Sequence, residues 1–440
     1  MLTVQGRGFL LDGHPFFFLG DTAWLLFSRL HTDEIRRYLR TRLSQGFNVV
    51  FATLVHEPGY ALKTGEKALC NDDFSHPDNM PGGYWDTVHS LCREAEAMGM
   101  TMALVPAWGD FYRGALADPD TAAGYARFLA RIFGDLDRII WVLGGDIRGS
   151  QARPSFDAMA QVFMQETPRF LRTFHPFGRT GSVTWYAHSP LLDFHLFQSG
   201  HRDRTQRRLN AWDDNEVAED EWFAEDNFRY VEQALRLDDK PVLDGEPSYE
   251  DIPHGLHDPS KPRWTAREVR RYAYWSVLSG SAGHVYGHNS VMQLWTGYGH
   301  GNFGVNGHWS GALLAEGASG MGILRRLMEA AGFQNGMPCP ELFSEMTEDR
   351  RILGLMLPDG LCAYAFTGSA FVPDRSRLFF EPTFAAFLSP ATGRLLLTDP
   401  ATPCLQADMP DPDAQDMVLL LGTDDFGRRI LDSFSEGGCP

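Results

Sequence analysis

Four apolar segments of the sequence each end in a carboxylic acid. The acids are Asp21 after "FFFLG", Asp110 after "VPAWG", Asp146 after "WVLGG" and Glu246 after "PVLDG". A single acid at such a position is more often a loop residue or a helix cap. Carboxylates that meet in pairs, however, carry out acid–base and nucleophilic chemistry. These four residues are therefore the first candidates for a catalytic role.

The accompanying residue types favour chemistry on sugars. Trp and Tyr rings stack on sugar rings, while carboxylates, amides and imidazoles bind hydroxyl groups. Two carboxylates on opposite sides of a glycosidic bond supply the acid and the nucleophile or base that hydrolysis needs. We assign Asp146 and Glu246 to that pair. The candidate substrate-binding residues at the predicted strand ends are Asp21, Trp24, Trp108, Asp110, Trp185, His201, Glu250, Tyr286, His288 and Asn289.

The two catalytic candidates require different protonation states. Glu246 must be ionised to attack a sugar, whereas Asp146 must carry a proton to give to the leaving oxygen. We expect the pKa of Asp146 to be raised by the ionised Glu246 and by the apolar residues 141–143 before it. Arg148 opposes that rise. The glycines before Asp146 allow the strand to bend and a sugar to come close.

The elements that must position these residues alternate between strands and helices. Eight strands are predicted to begin near Phe16, Phe47, Thr101, Ile139, Thr180, Leu191, Pro241 and Gly283, with a helix near 155–174 before the fifth and one near 221–237 before the seventh. This order predicts an α/β fold, a (β/α)8 TIM barrel over residues 1–335, whose strand ends converge on one face. The rival doubly wound sheet requires a glycine-rich phosphate turn after its first strand, which "FFFLGDTAW" lacks.

The C-terminal part of the chain has a different pattern. From residue 336 onward, short apolar segments alternate with Pro, Gly and Asp turn residues and show no strong helical period. This pattern predicts a smaller C-terminal antiparallel β-sandwich domain over residues 336–440. It either binds glycans or shields the side of the barrel.

Composition excludes several classes of partner. With 57 acidic against 39 basic residues and a net charge of −18, neither a nucleic acid nor an anionic membrane is expected as a partner. The six cysteines include no CxxC pair, and no set of metal ligands is complete, so we expect no cofactor and no catalytic metal. The start of the chain lacks the pattern of a signal peptide, which predicts a cytoplasmic protein. Nothing in the sequence indicates an oligomeric state.

Five motifs occur in an order that resembles a known family. "FFFLGDTAW", "WVLGGD", "FQSGH", "DGEPSYE" and "GHVYGHN", over roughly residues 5–330, resemble the apiosidase-like glycoside hydrolases, family 140. The resemblance implies a (β/α)8 barrel with a C-terminal β module and a retaining mechanism. It implies that Asp146 of "GGD" is the acid/base and that Glu246 of "GEP" is the nucleophile. It further implies a small oligosaccharide or glycoside substrate, by analogy apiose linked to a galacturonic acid of pectin.

Two alternatives remain open at this point. A non-catalytic carbohydrate-binding barrel would keep the Trp residues without needing two apposed acids. In a metal-dependent isomerase or aldolase-type barrel, the same acids would hold a cation. The long segment 55–83 is predicted to overhang the active face, where Lys63 and Lys67 could meet a uronate.

Overall fold

The structure of the protein is a computed structural model. It describes residues 1–206, 222–299, 301–343, 351–366, 373–401 and 416–434. The predicted start of one helix near 221 and the predicted end of the C-terminal domain at 440 lie outside these ranges. Within them, no helix is long and apolar enough to cross a membrane.

The chain begins with an antiparallel hairpin sheet and then alternates strands with helices. The strands are β1 (Leu2–Gln5), β2 (Gly8–Leu11), β3 (His14–Phe16), β4 (Phe18–Thr22), β5 (Val49–Thr53), β6 (Thr101–Val105), β7 (Ile139–Ile147), β8 (Leu171–Pro176), β9 (Thr180–Gly181), β10 (His195–Gln198), β11 (Val242–Asp244), β12 (Gly283–Tyr286), β13 (Met337–Pro338), β14 (Leu353–Met356), β15 (Gly360–Phe366), β16 (Phe384–Leu388), β17 (Leu395–Leu397) and β18 (Asp416–Gly422). The helices are α1 (Leu26–Arg29), α2 (Thr32–Ser44), α3 (Tyr84–Ala97), α4 (Pro119–Phe133), α5 (Arg153–Glu166), α6 (Val183–Tyr186), α7 (Asn227–Leu237), α8 (Ala266–Leu278), α9 (Asn289–Met292), α10 (Trp309–Ala312), α11 (Glu316–Ala331) and α12 (Asp424–Phe434).

The central element is a curled parallel sheet of six strands, a half-barrel. Its order is β12-β4-β5-β6-β7-β8, so the last strand of this region lies beside the first. Strands such as β5, "VVFAT", are buried throughout, as expected for a parallel sheet covered on both faces. The parallel strands β10 and β11 form a separate sheet with the short β9.

Two backbone contacts link the six-stranded sheet to the neighbouring pair. Next to β8, the N–H of Asp193 donates to the carbonyl of Arg172 at 2.8 Å. Next to β12, the N–H of Ala282 donates to the carbonyl of Val242 at 3.1 Å. The coarse architecture is therefore barrel-like, and the continuous eightfold ring remains a prediction.

The fifth strand was placed wrongly by the sequence analysis. It is β8 (Leu171–Pro176), which pairs with β7, and not the segment that begins at Thr180. Thr180 and Gly181 form the short strand β9, antiparallel to β10, and the residues that follow form α6. The predicted helix near 155–174 joined α5 to this strand, although Pro168 between them cannot continue a helix.

The C-terminal region forms one antiparallel sheet with the order β13-β14-β15-β18-β16-β17. The antiparallel strands agree with the sequence-based expectation. The sandwich does not, because all strands of the described C-terminal residues belong to this single sheet. One face of the sheet packs on α8, where Tyr274 stacks on Tyr364 with 4.9 Å between ring centroids. Neighbouring helices of the first domain thus take the place of a second sheet, and the boundary at 335/336 remains a prediction.

A buried ion pair joins this sheet to α8. Both Nε and Nη2 of Arg270 donate to the carboxylate of Asp416 at 2.9 Å, and the hydroxyl of Tyr364 donates to the same group at 2.8 Å. Arg270 and Asp416 are buried. If either charge lost its partner, the other would stay in a medium of low polarity at high cost.

We expect Asp416→Ala to lower the free energy of unfolding by about 3–5 kcal/mol, because it leaves the Arg270 guanidinium buried without its counter-charge. Asp359→Ala is the matched control, since Asp359 accepts two hydrogen bonds from Arg429 on the surface of the same domain. That change should cost about 1 kcal/mol or less. Urea denaturation measures both values. Equal losses for the two variants would contradict the anchoring role of the buried pair.

Candidate active site

The end of β7 is bent at two consecutive glycines. Gly144 and Gly145 have φ angles of 89° and 96°, and Asp146 follows at 54°. The pairing register with β8 shifts between Gly144 and Ile147. A side chain on Gly144 would bring its Cβ to 2.4 Å from the carbonyl oxygen of His175. Glycine is therefore required there, and the resulting bulge re-aims the Asp146 side chain.

Asp146 and Glu246 meet in the folded chain. One carboxylate oxygen of each, together with one ring nitrogen of His175, all lie within 4.8 Å of one another. Glu246 is 7% exposed and His175 is fully buried. The retaining glycosidase geometry places the two carboxyl groups about 5–5.5 Å apart. The pair chosen from the sequence thus has the proximity that double displacement needs.

Two imidazoles lie against the carboxylate of Glu246. The Nδ1 atom of His201 accepts the backbone N–H of Tyr249 at 3.3 Å, so in the neutral ring the proton is on Nε2, which donates to Oε1 of Glu246 at 3.1 Å. His175 Nε2 lies 3.3 Å from Oε2. Burial raises the pKa of Glu246, but these two imidazoles outweigh it and lower the pKa to about 2. Glu246 is consequently ionised at neutral pH.

Asp146 has the opposite shift. Burial, followed by the negative charge of Glu246, raises its pKa to about 6, while His175, Gln198 and His201 act in the other direction. Gln198 donates from Nε2 to Oδ1 at 2.6 Å. The two acids therefore differ in pKa as an acid and a nucleophile must. Arg148, expected to oppose the rise, has its guanidinium 4.8 Å from the centre of the Phe177 ring.

Aromatic rings form one wall beside the pair. The ring centroid of Trp24 lies 5.3 Å from that of Trp108 and 5.2 Å from that of His175. His56 packs on the outer part of this cluster, 4.6 Å from the Trp108 ring. The structure thus brings Trp24 and Trp108 next to a side chain that contacts Glu246. Trp24 is buried and its ring meets that of Trp108 edge-on, at 61°. Stacking of either ring on a sugar remains a prediction.

Three other candidates lie in a separate buried network. The Asp21 carboxylate pairs with Arg42 of α2 at 2.6 Å and accepts the hydroxyl of Tyr38. The Tyr286 hydroxyl donates to Glu250 at 2.5 Å, and the Arg42 guanidinium lies 5.6 Å from the Tyr286 ring. These contacts tie the sheet to α2, and none of them involves Asp146 or Glu246. A role of Asp21, Glu250 and Tyr286 in sugar binding remains a prediction.

The contacts described here for the remaining candidates are with residues other than Asp146 and Glu246. Asp110 is exposed and accepts from Arg113 at 2.5 Å. Trp185 is half-buried in α6 and packs over Gly149. His288 caps α9 through Nδ1, and its neighbour Asn289 donates to a backbone carbonyl at 2.9 Å. Their contacts are structural, and their proposed binding roles are untested.

Three residues at the site are absent from the sequence-based candidates. His175 directly follows the predicted helix near 155–174, and ending that helix before Pro168 places His175 near the end of a strand instead. Gln198 closes β10, the position at which strand-end side chains gather. Tyr249 packs on His201 with ring centroids 4.8 Å apart, and burial followed by the charge of Glu246 raises its pKa well above the ordinary value.

The comparison with family models decides the relationship. The model named Apiosidase-like, catalytic domain, matches residues 5–335. The chain belongs to the apiosidase-like family. The resemblance of its five motifs is thereby confirmed, and the protein is a glycoside hydrolase that acts on carbohydrate.

Solved structures agree with the assignment as a glycoside hydrolase. A glycoside hydrolase shares 33% identity with a TM-score of 0.86, over 96% of this chain and 97% of that one. A glycoside hydrolase family 5 protein from Bacteroides vulgatus ATCC 8482 shares 34% identity with a TM-score of 0.88, over 96% and 94%. A putative glycoside hydrolase from the same organism, with 14% identity and a TM-score of 0.63, shares the fold. No curated protein matches the chain.

The electrostatic coupling of the pair can be tested without substrate. We expect Glu246→Gln to lower the pKa of Asp146 from about 6, because it removes the negative charge that adds to the effect of burial. A pH titration of ¹³C-labelled aspartate carboxyl signals measures the change, with Asp146→Asn assigning the resonance. Glu250→Gln, a buried acid of the separate network, should leave the signal unchanged. An Asp146 pKa that does not respond to Glu246→Gln would contradict the coupling.

Proposed function

We propose that the protein is a retaining, apiosidase-like glycoside hydrolase that removes a terminal sugar by double displacement. Glu246 acts as the nucleophile and Asp146 as the acid/base. The proposal rests on one observation. Glu246 is ionised at neutral pH, Asp146 has a pKa of about 6, and a carboxyl oxygen of one lies within 4.8 Å of a carboxyl oxygen of the other. A binding protein has no need for such a pair.

In the first step, one carboxylate oxygen of Glu246 attacks the anomeric carbon. The bond from this carbon to the leaving oxygen breaks, and that oxygen takes the proton of Asp146. His201, which donates to Oε1, orients the carboxylate for attack, while His175 lies beside Oε2 at 3.3 Å. The products of the step are a glycosyl ester of Glu246, an ionised Asp146 and the released alcohol.

In the second step, Asp146 acts as the base. Ester formation removes the negative charge of Glu246, which is one of the causes of the raised pKa of Asp146. The pKa of Asp146 therefore falls, and its carboxylate takes a proton from a water molecule whose oxygen attacks the anomeric carbon. The ester bond breaks, Glu246 leaves as a carboxylate, and Asp146 is protonated again. Burial and this charge together favour the protonated form of Asp146 in the first step, and loss of the charge favours its ionised form in the second.

The family relationship supports a terminal apiose, linked to a uronic acid, as the first substrate to test. Lys63 and Lys67 are exposed in the segment 55–83, and their contact with a uronate remains a prediction. Closure of the eightfold ring is part of the same proposal. The hydrogen bonds beside β8 and β12 support it, since they lie at the two places where the sheets separate.

Hydrolysis separates this proposal from a non-catalytic binding barrel. We expect release of nitrophenol from one member of a screen of aryl apiosides, arabinosides and galactosides. Glu246→Gln should lower kcat/KM by on the order of 10³-fold or more, and Asp146→Ala by about 10²–10⁴-fold. Asp238→Asn, a change at a buried acid near the start of β10, serves as the control and should retain activity. A Glu246→Gln variant with the activity of the native protein would refute the assignment.

A metal-dependent barrel is the second candidate, because Asp146, His175 and Glu246 form a group of three possible ligands in the described part of the chain. Since the proposed mechanism uses these residues for proton transfer and nucleophilic attack, we expect kcat/KM to be unchanged after dialysis against EDTA. Assays of chelated protein, with and without added Zn²⁺ or Mn²⁺, measure this. Loss of activity that either ion restores would favour the metal-dependent reaction.

A further inference from the structure

Asp244 is a buried acid that the proposed mechanism does not use. It closes β11, two residues before Glu246, and is fully buried. Burial raises the pKa of Asp244 to about 7. Its carboxyl oxygens accept three hydrogen bonds: from Ser199 Oγ at 2.7 Å, from Ser199 N at 3.3 Å and from Asn227 Nδ2 at 3.5 Å. Asn227, at the start of α7, is itself held by a bond from Nδ2 to the carbonyl of Tyr272 at 2.7 Å. The Asp244 carboxylate therefore links the end of β10 to the helical layer.

Ser199 stands between the two residues of this segment that touch the catalytic pair. Gln198, directly before it, donates to Asp146 at 2.6 Å. His201, two residues after it, donates to Glu246 at 3.1 Å. Gly200 between them donates its N–H to the backbone carbonyl of Glu246 at 3.1 Å. The segment 198–201 thus contacts both acids, and Asp244 holds it at Ser199.

We propose that Asp244 is a positioning residue that, through Ser199, sets the hydrogen bonds of Gln198 to Asp146 and of His201 to Glu246. The inference rests on the proposed hydrolase function. Both polar groups of Ser199 depend on this carboxylate, and in a buried place they would otherwise lack an acceptor. Reacting groups must be held to within a fraction of an ångström, so a shift of the segment 198–201 acts on the reaction and not on stability alone.

The expected signature of this role is electrostatic. The bond from Gln198 lowers the pKa of Asp146, and so does the nearby His201. When Asp244 no longer holds Ser199, both groups move away, and the pKa of Asp146 rises further. Asp146 must be protonated for the first step, so the alkaline limb of kcat/KM moves to higher pH. A purely structural residue would change stability without moving that limb.

The experiment compares Asp244→Ala with a control at Asp238, because Asp244 contacts the residue after the end of β10 and Asp238 contacts the first residue of that strand. Asp238 accepts from His195 Nε2 of β10 at 3.0 Å and from the N–H of His188 at 2.7 Å, and it is buried like Asp244. We expect Asp244→Ala to raise the alkaline limb by about one pH unit and to lower kcat more than it changes KM. Asp238→Asn should lower stability and leave the limb unchanged. Asp244→Asn, which keeps one acceptor oxygen, should restore part of the native profile.

Two further measurements keep the inference testable if Asp244→Ala does not fold or if no glycoside is hydrolysed. Ser199→Ala keeps the Asp244 carboxyl, removes one of its bonds, and should raise the pKa of Asp146 by a smaller amount. Titration of the ¹³C-labelled Asp146 carboxyl detects the shift without turnover. Absence of hydrolysis by the native protein would count against the proposed function alone. An Asp146 pKa that is unchanged in both Asp244→Ala and Ser199→Ala would overturn the positioning role.

Discussion

The site depends on the repulsion between two carboxyl groups held together out of water. At separations within 4.8 Å in a medium of low polarity, Asp146 and Glu246 cannot both be ionised without a large cost. The imidazoles of His201 and His175 decide which of them carries the charge, because both lie against Glu246. The proton is thereby directed to Asp146. The different protonation states of the two acids follow from the side chains that surround each of them.

The fold serves that arrangement by bringing four strand ends to one place. The bulge at the end of β7 aims Asp146, and β8 contributes His175 at its own end. The residues at and just beyond the end of β10 supply Gln198 and His201, which reach one acid each. Glu246 follows β11 after a single glycine. Asp146 and Glu246 are 100 residues apart in the sequence, and the arrangement of the parallel strands brings them together.

Some of this could be predicted from the sequence, and the reasons for success and failure are physical. Carboxylates after apolar runs indicate a set of four acids that includes Asp146 and Glu246, and the alternation of strands and helices predicts that the strand ends converge. The same pattern also selected Asp21 and Tyr286, since it does not tell on which side of the sheet a side chain lies. His175 was missed because the predicted helix near 155–174 runs through the polar residues 165–169, although Pro168 among them ends a helix. Apolar segments likewise predicted antiparallel strands in the C-terminal domain but could not show that helix α8 covers their sheet.

The central claim is that Glu246 forms a covalent bond to the sugar, while Asp146 donates a proton in the first step and accepts one in the second. Mass spectrometry after incubation with a 2-deoxy-2-fluoro glycoside of the preferred sugar, bearing a good leaving group, tests it most directly. The fluorine slows hydrolysis of the ester and lets it accumulate. Our account predicts one sugar per chain, located on the peptide that contains Glu246 and absent from Glu246→Gln. A sugar attached to another residue, or a turnover that inverts the anomeric configuration with no adduct, would contradict it.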